Sequence, residues 1–196
     1  MDRRLLALCF GNFVIGTGTL IVPGMPGVLA DGLDVGIPVA GRLIAAFALT
    51  VAIGAPLLAG ATSRIDRRKL LVAMQVLFVA GHLLAAFAPD YRVVLIARVA
   101  SASSAALFTS QAAATAGMLA SPAQRGAAIA FVFLGWSIAS VVGMPLGAWI
   151  AARFGWRIGF ALVGRPGSGR GDCRVEGIGS GLGRRDRRTT DRVAGS

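Results

Sequence analysis

Inside its long apolar stretches this chain of 196 residues has no acidic residue: Asp2, Asp31, Asp34, Asp66 and Asp90 all fall at the ends of those stretches or between them. Charged residues make up 15% of the chain, against about 25% in an ordinary soluble domain. The two cysteines, Cys9 and Cys173, stand in no metal-binding or redox spacing, and Cys9 reads as inert packing. No Gly-rich phosphate-binding motif is present, so ATP as a drive finds no support in the sequence. Without a Ser/His/Asp set or a metal-ligand cluster, the chain does not read as an enzyme and calls for no cofactor.

What it has in abundance is apolar length. Hydrophobic residues are 55% of the chain and mean hydropathy is +0.71. A helix needs about 20 apolar residues to cross ~30 Å of hydrocarbon. Residues 5–30, 39–62, 70–88, 93–120 and 127–152 meet that requirement, and a sixth run starts at 158 and stops at 163. A cleaved signal peptide competes for 5–30, but that run is long for a signal core and four more follow. A very apolar soluble helical protein would need charged faces at helical spacing, and 70–88 has none. The expected fold is all-α: a polytopic membrane helix bundle over 1–163, with about five complete spans and the beginning of a sixth.

The net charge of +11 divides into +4 for 165–196 and +7 for the rest. Outside the tail, the basic residues gather in alternate short connections. Seven lie on one side (Arg3, Arg4, Arg64, Arg67, Arg68, Lys69 and Arg125). Four lie on the other (Arg42, Arg92, Arg153 and Arg157), accompanied by Asp31, Asp34 and Asp90. The positive-inside rule then places the N-terminus in the cytoplasm of a multi-pass protein of the cytoplasmic (inner) membrane. The same distribution accounts for the basicity without a nucleic-acid partner. Short connections make neighbouring helices antiparallel, and the Gly-, Ala- and Ser-rich spans allow close helix approach. Gly143-Met144-Pro145-Leu146-Gly147 is expected to loosen or kink the fifth span.

Several of these segments, in order, resemble the N-terminal half of the major facilitator superfamily, in its twelve-span drug:proton antiporter and sugar-efflux-like branch (chloramphenicol-resistance or arabinose-efflux type). Between spans two and three that family carries a Gly-x-x-x-Asp-Arg-x-Gly-Arg-Arg-type motif. Here the segment reads Ala59-Gly60-Ala61-Thr62-Ser63-Arg64-Ile65-Asp66-Arg67-Arg68. Arg64, Arg67 and Arg68 match, whereas Ser63 replaces the motif Asp and Asp66 replaces its second Gly. The resemblance implies a gating loop made of Arg64, Asp66, Arg67 and Arg68; the plainer reading is a positive anchor.

Arg98, in Leu95-Ile96-Ala97-Arg98-Val99-Ala100-Ser101-Ala102, is similar to the family's fourth-helix arginine, which implies a part in proton or substrate coupling. Its alternative is snorkelling to the outer interface, ~10 Å away along the helix. Gly135, Gly143, Pro145 and Gly147 resemble the Gly-rich antiporter run of span five and imply export. Pro122–Gly126 and Gly155-Trp156-Arg157 are similar to the family's entries into spans five and six.

Polar residues inside spans are candidate lining for a small-molecule cavity: Asn12, Thr17 and Thr19 in the first, Gln75 in the third, and Thr109, Ser110 and Gln111 in the fourth. His82 is the one side chain there that titrates near neutrality, and it reads as hydrogen-bonded within the bundle. The expected function is proton-coupled efflux of drugs or small solutes, with the proton gradient as driving force and lipid and a C-terminal half as partners. Residues 164–196 hold nine Gly and the run Arg184-Arg185-Asp186-Arg187-Arg188. They are expected to be disordered, as a frameshift or truncation would leave them. A homodimerising half-transporter and a non-transporting partner subunit are the alternatives.

Overall fold

The computed structural model describes residues 3–62 and 65–164. Those residues form helices and no strand: α1 (Arg3–Gly24), α2 (Pro26–Gly32), α3 (Ile37–Ala61), α4 (Arg67–Ala86), α5 (Tyr91–Leu119), α6 (Arg125–Ile138), α7 (Met144–Phe154) and α8 (Trp156–Gly164). Five stretches are long and apolar enough to cross a membrane: Arg3–Gly24, Ile37–Leu58, Arg67–Ala86, Tyr91–Leu119 and Pro122–Phe154. The all-α membrane bundle expected from the sequence is therefore present. Arg64 and the tail after Gly164 lie outside the described residues.

Helix starts follow local chemistry. Asp66 caps α4: its Oδ1 accepts from the backbone N–H groups of Arg68 at 2.9 Å and Lys69 at 3.1 Å. Asp90 caps α5 by accepting from Val93 N–H at 2.9 Å. Proline occupies the first turns of α2 and α3, where its missing N–H costs nothing.

Two apolar runs that look continuous in sequence are interrupted. The run 5–30 breaks at Met25 (φ −140°, ψ 44°), flanked by Pro23 and Pro26, so α1 and α2 are separate helices. In the fifth span, Ala139–Gly143 form a π-helical turn, closed by Met144 N–H donating to the Ala139 carbonyl. Pro145 follows at once. It cannot donate to the preceding turn, and the wide turn accommodates the loss. The loosening expected around Gly143 and Pro145 thus takes the form of a π turn rather than a sharp kink. Gly155, at φ +90°, reverses the chain between α7 and α8, a backbone conformation that suits glycine. α8 begins at Trp156, two residues before the expected start of a sixth span, and buries Trp156, Gly159, Phe160, Val163 and Gly164.

Contacts between helices have an internal regularity. The first span packs on the fifth (α1 on α6, the π turn and α7), as the fourth packs on the second (α5 on α3). The third and sixth pack on each other (α4 on α8). The third also touches the fourth and the sixth touches the first (α4 on α5, α8 on α1). Exchanging spans one to three with four to six maps these pairs onto one another, as two repeated three-helix units would, whereas the fourth and fifth spans and the fifth and sixth pack more closely than their counterparts. α5 is the central post, with 56% of its apolar window buried. α3 is peripheral at 17%, with Leu49, Ile53 and Leu57 exposed.

Bare backbone makes the tightest seam. A methyl group at Gly135 would collide with the Cys9 carbonyl and come within 3.0 Å of Phe13 N. One at Gly16 would lie 2.8 Å from the Ala139 methyl. Gly135→Ala is therefore expected to cost about 1–3 kcal/mol through overpacking. Gly41→Ala, where nothing lies within 4 Å, should be neutral or slightly stabilising. Thermal unfolding of the purified chain in detergent checks the contrast, and equal midpoints for the two variants would contradict this packing.

Candidate functional site

Polar side chains collect at three depths along α1, buried at two of them and bordering an open cavity at the third. Nearest the end where α1 meets Met25 is Arg98, on α5 and 1% exposed. Its Nη1 donates to the Gly18 carbonyl at 3.1 Å and its Nη2 to the Thr19 carbonyl at 3.4 Å. The second acceptor exists because of the sequence of α1. In a regular helix Thr19 O would receive the N–H of residue 23, but residue 23 is proline. The guanidinium also lies over Phe47 of α3, with Cζ 4.2 Å from the ring centroid. Among the described residues, no carboxylate is its partner. Arg98 Nε and Thr19 Oγ1 are buried without a hydrogen-bond partner.

His82 of α4 shares this centre. Its Nε2 lies 3.2 Å from the same Gly18 carbonyl and its Nδ1 2.9 Å from the Phe78 carbonyl, so a neutral ring, with one N–H, can donate to one of the two. Ser101 Oγ sits 3.5 Å from Nδ1 and donates to Ala97 O at 2.8 Å. The Phe78 and Phe160 rings flank the imidazole at 4.3 and 5.8 Å between centroids. Five helices, α1, α3, α4, α5 and α8, thus meet around one cation and one imidazole. The side chain of Arg98 turns inward to α1 and does not snorkel outward. His82 is hydrogen-bonded within the bundle, in keeping with the sequence.

At mid-depth, Asn12 is fully buried; its Nδ2 donates to the Val132 carbonyl of α6 at 3.2 Å, and its Oδ1 accepts from Thr109 Oγ1 of α5 at 3.3 Å. Of the candidate lining residues, Asn12 and Thr109 are brought together, as a tie between three helices. Thr17 bonds its own helix at Phe13 O, 2.9 Å, and packs against Gly143. Gly147 faces Ile21, so Gly135, Gly143 and Gly147 all line the seam with α1. Pro145 belongs to that segment through the backbone it interrupts. Gln75 stands apart on α4, with its Oε1 buried and unpartnered. Gln111 is half-buried on α5, where its carbonyl accepts from Thr115 at 2.6 Å, and Ser110 bonds back to the Ala106 and Leu107 carbonyls at 3.0 Å.

At the opposite end of α1, Arg4, Asp66, Arg67 and Arg68 border a cavity of about 330 Å³ that Leu8, Leu71, Thr115, Met118 and Leu119 also line. Three of the four gating-loop candidates are therefore together, against α1 and the end of α5. The sequence pointed to Arg98, Asn12 and the loop. It missed Phe47, Ser101 and the two α1 carbonyls, although Pro23, four residues after Thr19, marks the carbonyl that Arg98 reaches.

A family model described as Major Facilitator Superfamily matches residues 8–165. Over 159 residues the chain is 38% identical to "Uncharacterized MFS-type transporter YtbD" of Bacillus subtilis, covering 81% of this chain and 40% of that one. It is 35% identical over 160 residues to "Inner membrane transport protein YdhP" of Escherichia coli K12 (82% and 41%). It is 34% identical over 161 residues to "Probable sugar efflux transporter" of Mannheimia succiniciproducens (82% and 41%). The chain spans about 40% of the length of these relatives. Among solved structures, a bacterial homologue of the human lysosomal transporter Spinster, inward-facing and unoccupied, aligns with a TM-score of 0.73 at 18% identity, over 84% of this chain and 40% of that one. Peptide transporter POT in complex with sulfate aligns at 0.72 and 15% identity, over 84% and 35%. At those identities the likeness is one of fold.

Asn12→Ala is expected to lower stability by about 1 kcal/mol, and Thr109→Val by about 0.6 kcal/mol, the usual range for interhelical hydrogen bonds in membranes. The unfolding midpoint in detergent reads both. Unchanged midpoints would mean that this junction does not hold the helices.

Proposed function

The chain belongs to the major facilitator superfamily, and we propose that it forms the N-terminal bundle of a secondary transporter that exports drugs or small solutes in exchange for protons moving down their gradient. The observation that supports this reading best is Arg98. A charge inside a span costs on the order of 3 kcal/mol, and such residues mark pathways for ions, protons or substrate. Here the cation reaches carbonyls of a neighbouring span and, among the described residues, has no carboxylate partner, so the contacts around it are not those of a structural ion pair. The small-residue seam between α1 and the fifth span, built on Gly135, Gly143 and Gly147, supports the export direction by its resemblance to the antiporter run.

In this reading the substrate passes between this bundle and a C-terminal six-span counterpart, and lipid covers the remaining outer faces. The chemistry needs no cofactor: the proton gradient supplies the drive, and the Arg98–His82 centre is where a change of protonation would be felt. Arg64, Asp66, Arg67 and Arg68 gate the arginine-rich end. That end faces the cytoplasm, since the basic residues concentrate there.

Two measurements test this. In a background without Cys9 and Cys173, Ile65→Cys should resist a membrane-impermeant maleimide in whole cells, while Pro89→Cys should react; the reverse pattern would invert the topology. In everted vesicles energised by an imposed pH gradient, solute uptake should require this bundle together with a C-terminal bundle such as that of YdhP. Arg98→Gln should reduce that uptake at least tenfold, on the order of the 1–3 kcal/mol typical of coupling between sites, at unchanged protein levels. Absence of gradient-dependent uptake from a well-inserted pair would overturn the reading.

A further inference from the structure

The cavity at the arginine-rich end has a composition that neither gating nor anchoring accounts for. Its rim carries the guanidinium-bearing residues Arg4, Arg67 and Arg68, while its wall is Leu8, Leu71 and Leu119. The one carboxylate on the rim, Asp66, directs Oδ1 to the Arg68 and Lys69 backbone N–H groups. Arg67 is exposed, and its partner among the described residues is the Met118 sulfur, 3.2 Å from Nη1. A thioether is a weak acceptor and leaves most of the donor capacity of a guanidinium unmet. α4, 20 residues long, presents its N-terminal dipole to the same place. α1 and α4 touch only sparsely. Ala7, exposed on α1, stands at the edge of the gap between them.

We propose that this cavity binds the phosphate headgroup of an anionic phospholipid, with an acyl chain lying along the apolar wall between α1 and α4. A phosphate takes bidentate hydrogen bonds from arginine. A leucine wall directly beneath the arginines suits a ligand that is charged at one end and hydrocarbon at the other. Basic pockets between spans at the cytoplasmic face are a recurrent form of headgroup site. The cavity, at about 330 Å³, lies at the low end of the range of small-molecule sites, enough for a headgroup but not for a whole lipid, so the chains must leave through the gap. A lipid there would tie the start of α1 to the start of α4. The inference rests on membrane insertion and on the arginine-rich end lying at an interface. It does not depend on which side that interface faces, because in detergent added lipid reaches both ends of the bundle.

The test is native mass spectrometry of the purified 196-residue chain in detergent, titrated with phosphatidylglycerol, phosphatidylcholine or inorganic phosphate. The expected result is one preferential phosphatidylglycerol adduct. Arg67→Gln combined with Arg68→Gln should weaken it roughly tenfold or more. Ala7→Trp, which fills the mouth and keeps every charge, should weaken it as well. Arg92→Gln, at the other end of the bundle, should leave it unchanged. Each variant is first shown to elute as the parent does on gel filtration; should the double variant fail to do so, Ala7→Trp carries the test. Equal retention of phosphatidylglycerol and phosphatidylcholine, or indifference to a folded pocket variant, would overturn the proposal. Inorganic phosphate binding as tightly as the lipid would also overturn it, in favour of a soluble phosphate ligand.

Discussion

A backbone carbonyl without a partner is hard to keep in hydrocarbon, and Pro23 creates one at Thr19. Much of the bundle's arrangement answers to that vacancy. Arg98 spans the Gly18 and Thr19 carbonyls from α5, and Phe47 covers its face from α3. His82 approaches the same Gly18 oxygen from α4. Each group supplies what another lacks: the helix offers oxygen atoms, and the cation gains acceptors that lipid cannot give. The centre holds one helix from almost every part of the bundle, so the positions of α1, α3, α4 and α5 are not independent. A shift of α1 that loosened Gly18 would be felt by both the imidazole and the guanidinium.

α1 is the common member of every polar level. Near one end its residues border the arginine-rich cavity, at its middle Asn12 ties α5 to α6, and near its other end its carbonyls hold Arg98. Glycine makes this possible. The fifth span lies so close to α1 that Gly135 meets the backbone of Cys9 and Phe13 instead of their side chains. Packing in the absence of a hydrophobic drive depends on such close approach, and it leaves the bulkier faces of α3 and α6, with Leu49, Ile53, Phe133 and Leu134, turned outward.

Span number and apolar extent were legible because each rests on local pattern, length against bilayer thickness; the caps by Asp66 and Asp90 were not read from the sequence, where these residues stood out only as charges between apolar runs. Of the two breaks inside those runs, the loosening of the fifth span was legible from Pro145 among glycines, and the break at Met25 was not. Nothing in hydropathy separates α1 from α2; the signal was the pair Pro23 and Pro26 around Met25, and it bears on backbone geometry and not on burial. The site was legible in part. Arg98 and Asn12 stand out as polar residues in apolar company, but their partners are main-chain atoms, which a sequence does not display. Helical rotation was the other missing quantity. Without it Thr17, Gln75 and Thr109 looked alike, although one faces Gly143, one stands apart on α4 and one meets Asn12.

The π turn at Ala139–Gly143 settles a problem of phase. Gly135, Ala139, Gly143 and Gly147 recur every four residues, and in a regular helix of 3.6 residues per turn each such step overshoots by about 40°. Three steps would carry the last glycine far round the barrel of the helix and away from α1. The wider turn absorbs most of that drift, so α6 and α7 present one unbroken line of small residues to one neighbour. The extra residue works like a leap day, keeping a four-beat calendar aligned with a helix that turns slightly faster. Deleting any one residue from 139–143 would restore a regular helix and, with about 1100° (three turns and 20°) from Gly135 to the last glycine, would leave α7 facing the same partner; winding all five residues into a regular helix is what would swing α7, with Trp149 and Phe154, out of step.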